Sequence, residues 1–182
     1  MLIVINGSIA SGKSTIARAY AGHLAARGAK AAVIDLDLLY DMHHHTAGVA
    51  KDDEETWAIA RRAAAALTDT FLSEGVRDVV VEGTFFTPAE RAALLDALMT
   101  PVAVRFVTLQ VGYKEALRRA QADPSRGVSR DPAFLRPYYA RVQADLAAVP
   151  ATDLVLDTDR LTPEEAVAAI ADFVGGEPPR RP

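Results

Sequence analysis

Residues 7 to 14 read Gly-Ser-Ile-Ala-Ser-Gly-Lys-Ser: two glycines bracket a short segment, and a lysine and a hydroxyl follow at once. A backbone that wraps an anion needs this pattern. Without side chains at Gly7 and Gly12, the chain can turn the N–H groups of Ser8, Ile9, Ala10 and Ser11 inward onto phosphate oxygens, which a Cβ at either glycine would obstruct. Lys13 then brings an ammonium to the β- and γ-phosphates, and Ser14, with Thr15 beside it, offers a hydroxyl to Mg2+. A helix starting here adds the partial positive charge of its first turn. The only lysines are Lys13, Lys30, Lys51 and Lys114, so the match at the position that demands one does not come from composition. The plain alternative is a Gly/Ser-rich turn that binds nothing; the register favours a phosphate-binding P-loop for ATP with Mg2+.

Other groups of residues could complete such a site. Asp35 and Asp37, in Ile-Asp-Leu-Asp, stand behind an apolar run. Phosphorylating a hydroxyl benefits from one carboxylate near Mg2+ or its water and another that accepts the acceptor's proton. Aspartates also cap turns after strands, so both readings stand. Between residues 118 and 136, Arg118, Arg119, Arg126, Arg130 and Arg136 face only Asp123 and Asp131, a local charge of +3 in a chain whose net charge is −4. With Pro124, Ser125, Gly127 and Ser129 in its middle, this stretch is either a lid at about 121–131 that closes arginines over a triphosphate or a solvated charged surface. His43, His44 and His45 are adjacent and share no face, which makes one metal site from all three awkward; they read as a flexible loop near an acceptor pocket. Trp57 lines that pocket or anchors its helix to the core, and the core is favoured.

These residues must be positioned by a scaffold. Leu2–Ile5 is a short apolar run of the kind buried on both faces of a parallel sheet, and similar runs recur at Ala31–Ile34, Val79–Val81, Val102–Leu109 and Leu154–Leu156. Helical stripes separate them. One runs from Lys13 towards Gly28 and another through Trp57, Ala60, Ala64, Leu67 and Phe71 towards Gly75. Thr87-Pro88-Ala89-Glu90 and Thr162-Pro163-Glu164-Glu165 each give a capping threonine, a proline at the first helical position and a glutamate at the third. Alternating strands and helices give a doubly wound α/β domain over residues 1–174, with a flexible tail at 175–182. The chain has 182 residues and no cysteine, and no stretch near 20 apolar residues, which disfavours disulfide frameworks, thiolate metal sites and membrane insertion. Its acidic balance disfavours bulk nucleic-acid binding. A cytoplasmic protein is expected.

The opening MLIVINGSIASGKST and the layout that follows resemble small P-loop kinases such as shikimate kinase, gluconate kinase and chloramphenicol phosphotransferase, and also the tunicamycin-resistance ATP-binding protein. The resemblance implies a P-loop NTPase fold: a three-layer α/β/α sandwich with a five-stranded parallel sheet in the order 2-3-1-4-5 and a lid before the last strand. It also implies site roles. Asp37 would be the base and Asp35 the metal-side group, while Glu82, after Val79-Val80-Val81, would help position Mg2+ or its water unless Glu82-Gly83 is a surface turn. Arg119 would lie against the adenine, with Arg126 or Arg130 reaching the phosphates. The implied activity is transfer of the γ-phosphoryl group of ATP to a hydroxyl of a small molecule, a metabolite or an antibiotic. The other readings are a nucleoside, nucleotide or nucleic-acid-end kinase, or an ATP-binding switch with weak ATPase activity.

Overall fold

The computed structural model describes residues 1–47 and 53–176, and the side chains of all of these except 44–47. Its sheet has five parallel strands, β1 (Leu2–Gly7), β2 (Ala31–Asp35), β3 (Asp78–Gly83), β4 (Val104–Gln110) and β5 (Leu154–Asp157), in the order β2-β3-β1-β4-β5. The expected order is borne out. β1 is central and buried along its whole length, which is why its sequence is a continuous apolar run rather than an alternating one. Successive side chains point to opposite faces of a strand, and β1 divides accordingly. Leu2 and Val4 pack with Ile34, Val79 and Val81 on one face, while Ile3 and Ile5 pack with Val80, Val107 and Leu109 on the other.

Each face is covered by helices. α3 (Glu54–Ser73) and α4 (Pro88–Leu95) bring Ala60, Ala64, Ala65 and Leu94 to the first; α1 (Lys13–Ala26) and α7 (Pro163–Gly175) bring Ile16, Ala17, Val167 and Ile170 to the second. Both expected capping boxes form, Thr87 with Glu90 and Thr162 with Glu165. α1 stops where glycine was expected to end it, with Gly28 at φ +76°.

A third cluster carries the phosphate loop. Ala10 packs with Val111, with Ala116 and Ala120 of α5 (Tyr113–Ala122), and with Leu135 and Tyr139 of α6 (Pro132–Ala147). α6 starts at Asp131-Pro132, where the Asp131 side chain accepts from the N–H of Ala133.

One expectation needs correction. The stretch after Asp35 is not a turn and loop but a helix, α2 (Leu36–Ala47), so His43 lies on a helix; the side chains of His44 and His45 lie outside the described residues. The cause is local: the Asp35 carboxylate accepts from the N–H groups of Asp37 and Leu38 at 3.0 and 3.4 Å and starts the helix directly from the strand. α7 runs through Gly175, and residues 177–182, where the expected tail falls, lie outside the described ones. Among the described residues, no helix is long and apolar enough to cross a membrane.

Candidate active site

The carboxyl ends of the strands open on a cleft of about 890 Å³ whose walls include Ile9 to Thr15, Asp37, Trp57, Arg61 and Arg126. At its floor the P-loop has the expected geometry. A Cβ on Gly7 would fall 2.5 Å from Ser11 Oγ and 3.1 Å from the Leu109 carbonyl oxygen, so only glycine fits between β1 and β4 there. Gly12 has φ +92°, a conformation that costs other residues energy. Lys13 donates to the Ser8 carbonyl oxygen at 3.1 Å, spanning the loop from inside. The entrance to the loop is held by Asn6, which donates to Thr108 Oγ1 at 3.1 Å and accepts from the Phe85 N–H at 2.8 Å, tying together the ends of three strands.

Carboxylates face this loop. Glu82 is 2% exposed at the end of β3, so the surface-turn reading is wrong: the residue is inside, and one of its oxygens, Oε1, has no hydrogen-bond partner. Burial pushes its pKa up to about 7, helped by Asp35 and Asp37 and opposed by the Ser14 hydroxyl and Lys13. Asp37, in the first turn of α2, borders the open cleft, yet protein crowds it enough that burial raises its pKa; Asp35 and Asp41 add to this, and Lys13 and Arg126 oppose it. Asp35 is used differently. Its carboxylate caps α2, so the turn-capping reading describes the contacts it makes.

The arginine-rich segment divides. Arg126 lies on the cleft wall, paired with Asp123 at 3.3 Å, in the stretch Ser125–Ser129 that lines the same cleft as the P-loop. Arg130 does not reach the cleft: it exchanges hydrogen bonds with Gln121 at the end of α5, each at 3.5 Å. Arg119 is held behind the loop by Glu115, the Ala10 carbonyl and Thr158. Arg118 pairs with Glu115, and Arg136 stacks over Tyr113.

The cleft is also lined by residues that lie outside the phosphate loop and the arginine-rich segment. Trp57 both packs on the core and lines the cleft, stacked on Tyr40 with centroids 3.9 Å apart. Arg61 is 2% exposed, and its guanidinium is held by Glu54 at 2.8 Å, Glu90 at 2.9 Å and the Thr84 carbonyl at 3.3 Å. It is therefore committed to the protein's own acceptors. Phe86, Phe134, Tyr138 and Arg141 also line the cleft, with Tyr138 packed against the cluster that carries the P-loop. The capping box at Thr87 was the available clue to Glu90; nothing in the local pattern marked α6 as a cleft wall.

Mg2+ fits the donor set at the loop. Ser14 and the unsatisfied buried oxygen of Glu82 are hard oxygen donors of the type Mg2+ takes, alongside phosphate and water oxygens. Among the described residues, no group of three or more His, Asp or Glu could hold a metal by itself.

The comparisons agree with this architecture. The model of the AAA domain family matches residues 2–132. No curated protein matches the sequence. Among solved structures, a sugar kinase from a Janibacter species is 22% identical, with a TM-score of 0.65 over 95% of this chain and 93% of that one. The Mycobacterium tuberculosis APS kinase CysC, solved with AMPPNP and APS, is 20% identical, with a TM-score of 0.65 over 96% and 97%. Shikimate kinase from Bacteroides thetaiotaomicron is 14% identical, with a TM-score of 0.67 over 96% and 98%. The fold is thus that of the small P-loop kinases, and by the match over most of its length the chain belongs to the AAA domain family AAA_33.

Proposed function

We propose that the protein is an ATP- and Mg2+-dependent kinase that phosphorylates a hydroxyl of a small molecule. One observation carries this reading: the P-loop with Lys13, the carboxylate of Asp37 and the lid residue Arg126 all border one cleft that continues into an aromatic-walled pocket. A switch that only binds or slowly hydrolyses ATP has no need of that second pocket. Kinase neighbours, one solved with a nucleotide analogue and a second substrate, support it at the level of the fold.

In this reading the amides of residues 8 to 15 and Lys13 hold the β- and γ-phosphates, and Arg126 approaches them from the lid. Arg119, placed behind Ala10, borders the nucleotide rather than the transferring group, and Arg130 serves the lid base. Asp37 takes the acceptor's proton as the acceptor oxygen bonds to the γ-phosphorus and the bond to the β,γ-bridging oxygen breaks, releasing ADP. Its raised pKa suits a group that must hold a proton during the transfer. Ser14 and Glu82 would hold Mg2+ or its water, with Asp35 behind them; the ion, when bound, neutralises charge on the phosphates.

The test is transfer of phosphate from ATP to a panel of hydroxyl-bearing metabolites, nucleosides and antibiotics. The reading predicts acceptor-dependent ADP formation that Lys13→Ala abolishes. ATP hydrolysis unaffected by every acceptor would refute it in favour of the switch.

A further inference from the structure

The P-loop contains an anomaly. Ala10 has φ +61°, and it is the one non-glycine residue with positive φ among the described residues. Ser8, Ile9, Ala10 and Ser11 form a turn closed by the Ser11 N–H donating to the Ser8 carbonyl at 3.3 Å. With positive φ at its third residue and not at its second, this is a type II turn, for which glycine is the usual third residue. A type II turn differs from the more accommodating type I in the orientation of its central peptide, here Ile9–Ala10. Something must hold that peptide over.

Tyr139 of α6 is placed to do so. It is 3% exposed, and its hydroxyl lies 2.5 Å from the Ile9 carbonyl oxygen and 2.9 Å from Ser8 Oγ. A carbonyl can only accept, so the tyrosine's single proton goes to Ile9 and Ser8 must donate to Tyr139. Both hydroxyls are thereby given one direction. In a trans peptide the N–H points away from the C=O; with the Ile9 C=O drawn to Tyr139, outside the cleft wall, the Ala10 N–H is turned to the side on which Ile9 and Ala10 line the cleft. The reverse orientation would aim a carbonyl at the phosphate site.

We infer that Tyr139 is a positioning residue for the nucleotide: its hydroxyl fixes the Ile9–Ala10 peptide in the orientation that presents an amide to the phosphates, replacing the conformational freedom a glycine at position 10 would supply. The inference rests on the proposed nucleotide site. It ties the P-loop to α6, whose N-terminal end adjoins the lid, through the Tyr139 hydroxyl and the packing of Ala10 with Leu135, beside Tyr138 at the Ile9 backbone.

The test is isothermal titration of purified full-length protein with ATP and Mg2+, together with KM for ATP and kcat for its turnover. Tyr139→Phe keeps the ring and removes the hydroxyl. It should weaken ATP binding about tenfold and raise KM in step, with kcat at saturating ATP changed less than about twofold. In the Ala10→Gly background the same substitution should cost less than about twofold, because glycine takes positive φ without help. A purely structural role would lower thermal stability without this coupling to position 10. Unchanged ATP affinity in Tyr139→Phe, or a loss equal in both backgrounds, overturns the inference. If Tyr139→Phe does not fold, Ala10→Gly/Tyr139→Phe decides: folding with ATP binding supports the lock, and failure assigns Tyr139 to the fold alone. Wild-type protein that binds no ATP would sink the nucleotide site itself, and with it this inference.

Discussion

Replacing Arg61 with methionine removes a buried cation and keeps most of its apolar stem. The pair with Glu54 should matter little, since that carboxylate is 76% exposed and exposed pairs contribute about 0–1 kcal/mol. Glu90 is different: it is 14% exposed, receives Arg61 at 2.9 Å and uses its other oxygen to accept from the Thr87 N–H at 2.7 Å. Arg61→Met leaves Glu90 Oε1 and the Thr84 carbonyl without their donor. A charge-assisted bond of this kind is worth about 1.5–3 kcal/mol, partly offset because methionine needs no desolvation of a charge. The orphaned Thr84 carbonyl adds about 1 kcal/mol, so a net loss of about 2–3 kcal/mol follows, a fall in Tm of roughly 5–10 °C for a chain of this size. Urea unfolding followed by circular dichroism measures it. The decisive comparison is Arg61→Met in a Glu90→Gln background, which retains the capping geometry but carries no charge to orphan; there the loss should shrink to under about 1 kcal/mol. Equal losses in both backgrounds would refute the claim that Arg61 is balanced chiefly by Glu90.

Lys13→Ala should reduce ATP turnover at least about a hundredfold while leaving the circular dichroism spectrum unchanged, because the lysine faces the cleft rather than the core. Asp37→Asn should lower acceptor phosphorylation by about 10²–10⁴ and change the Kd for ATP far less, measured by single-turnover transfer and by calorimetry. Glu82 makes metal-free stability depend on pH. Between the ordinary glutamate value of 4.5 and about 7, the folded chain keeps a proton that the unfolded chain has released. Stability therefore falls as pH rises through that window, by at most about 3 kcal/mol. Urea midpoints at pH 5 and pH 8 should differ less in Glu82→Gln than in the wild type, and an equal difference would contradict the assignment. Gly7→Ala should abolish ATP binding and lower stability, since its Cβ would meet the Leu109 carbonyl at 3.1 Å; thermal unfolding and calorimetry test both parts.

What the chain determines locally, it shows locally. The P-loop was legible because anion wrapping restricts residue type at fixed spacing, and the strands because burial on both faces demands unbroken apolar runs. The capping boxes at Thr87 and Thr162 were legible for the same reason: partners three residues apart need no tertiary information. Asp35 was half legible. It ends an apolar strand as expected, but its carboxylate starts a helix where a loop was expected, because whether a polar side chain bonds its own backbone or a ligand depends on the path of the chain after it.

Only the tertiary structure decided what the charged and aromatic residues far from the loop do. Arg61 has no sequence signature that separates an anion-gripping arginine from one committed to Glu54 and Glu90; that is fixed by contacts 7 and 29 residues away. Arg126 and Arg130 are alike in sequence, yet the turn Val128–Arg130 sends one to the cleft and the other to Gln121. Tyr139, 130 positions from Ile9 along the chain, meets its carbonyl only because α6 packs on the P-loop. Local spacing encodes what a segment does with its own backbone, whereas long-range pairing of polar groups is decided when the layers pack and each buried donor must find an acceptor.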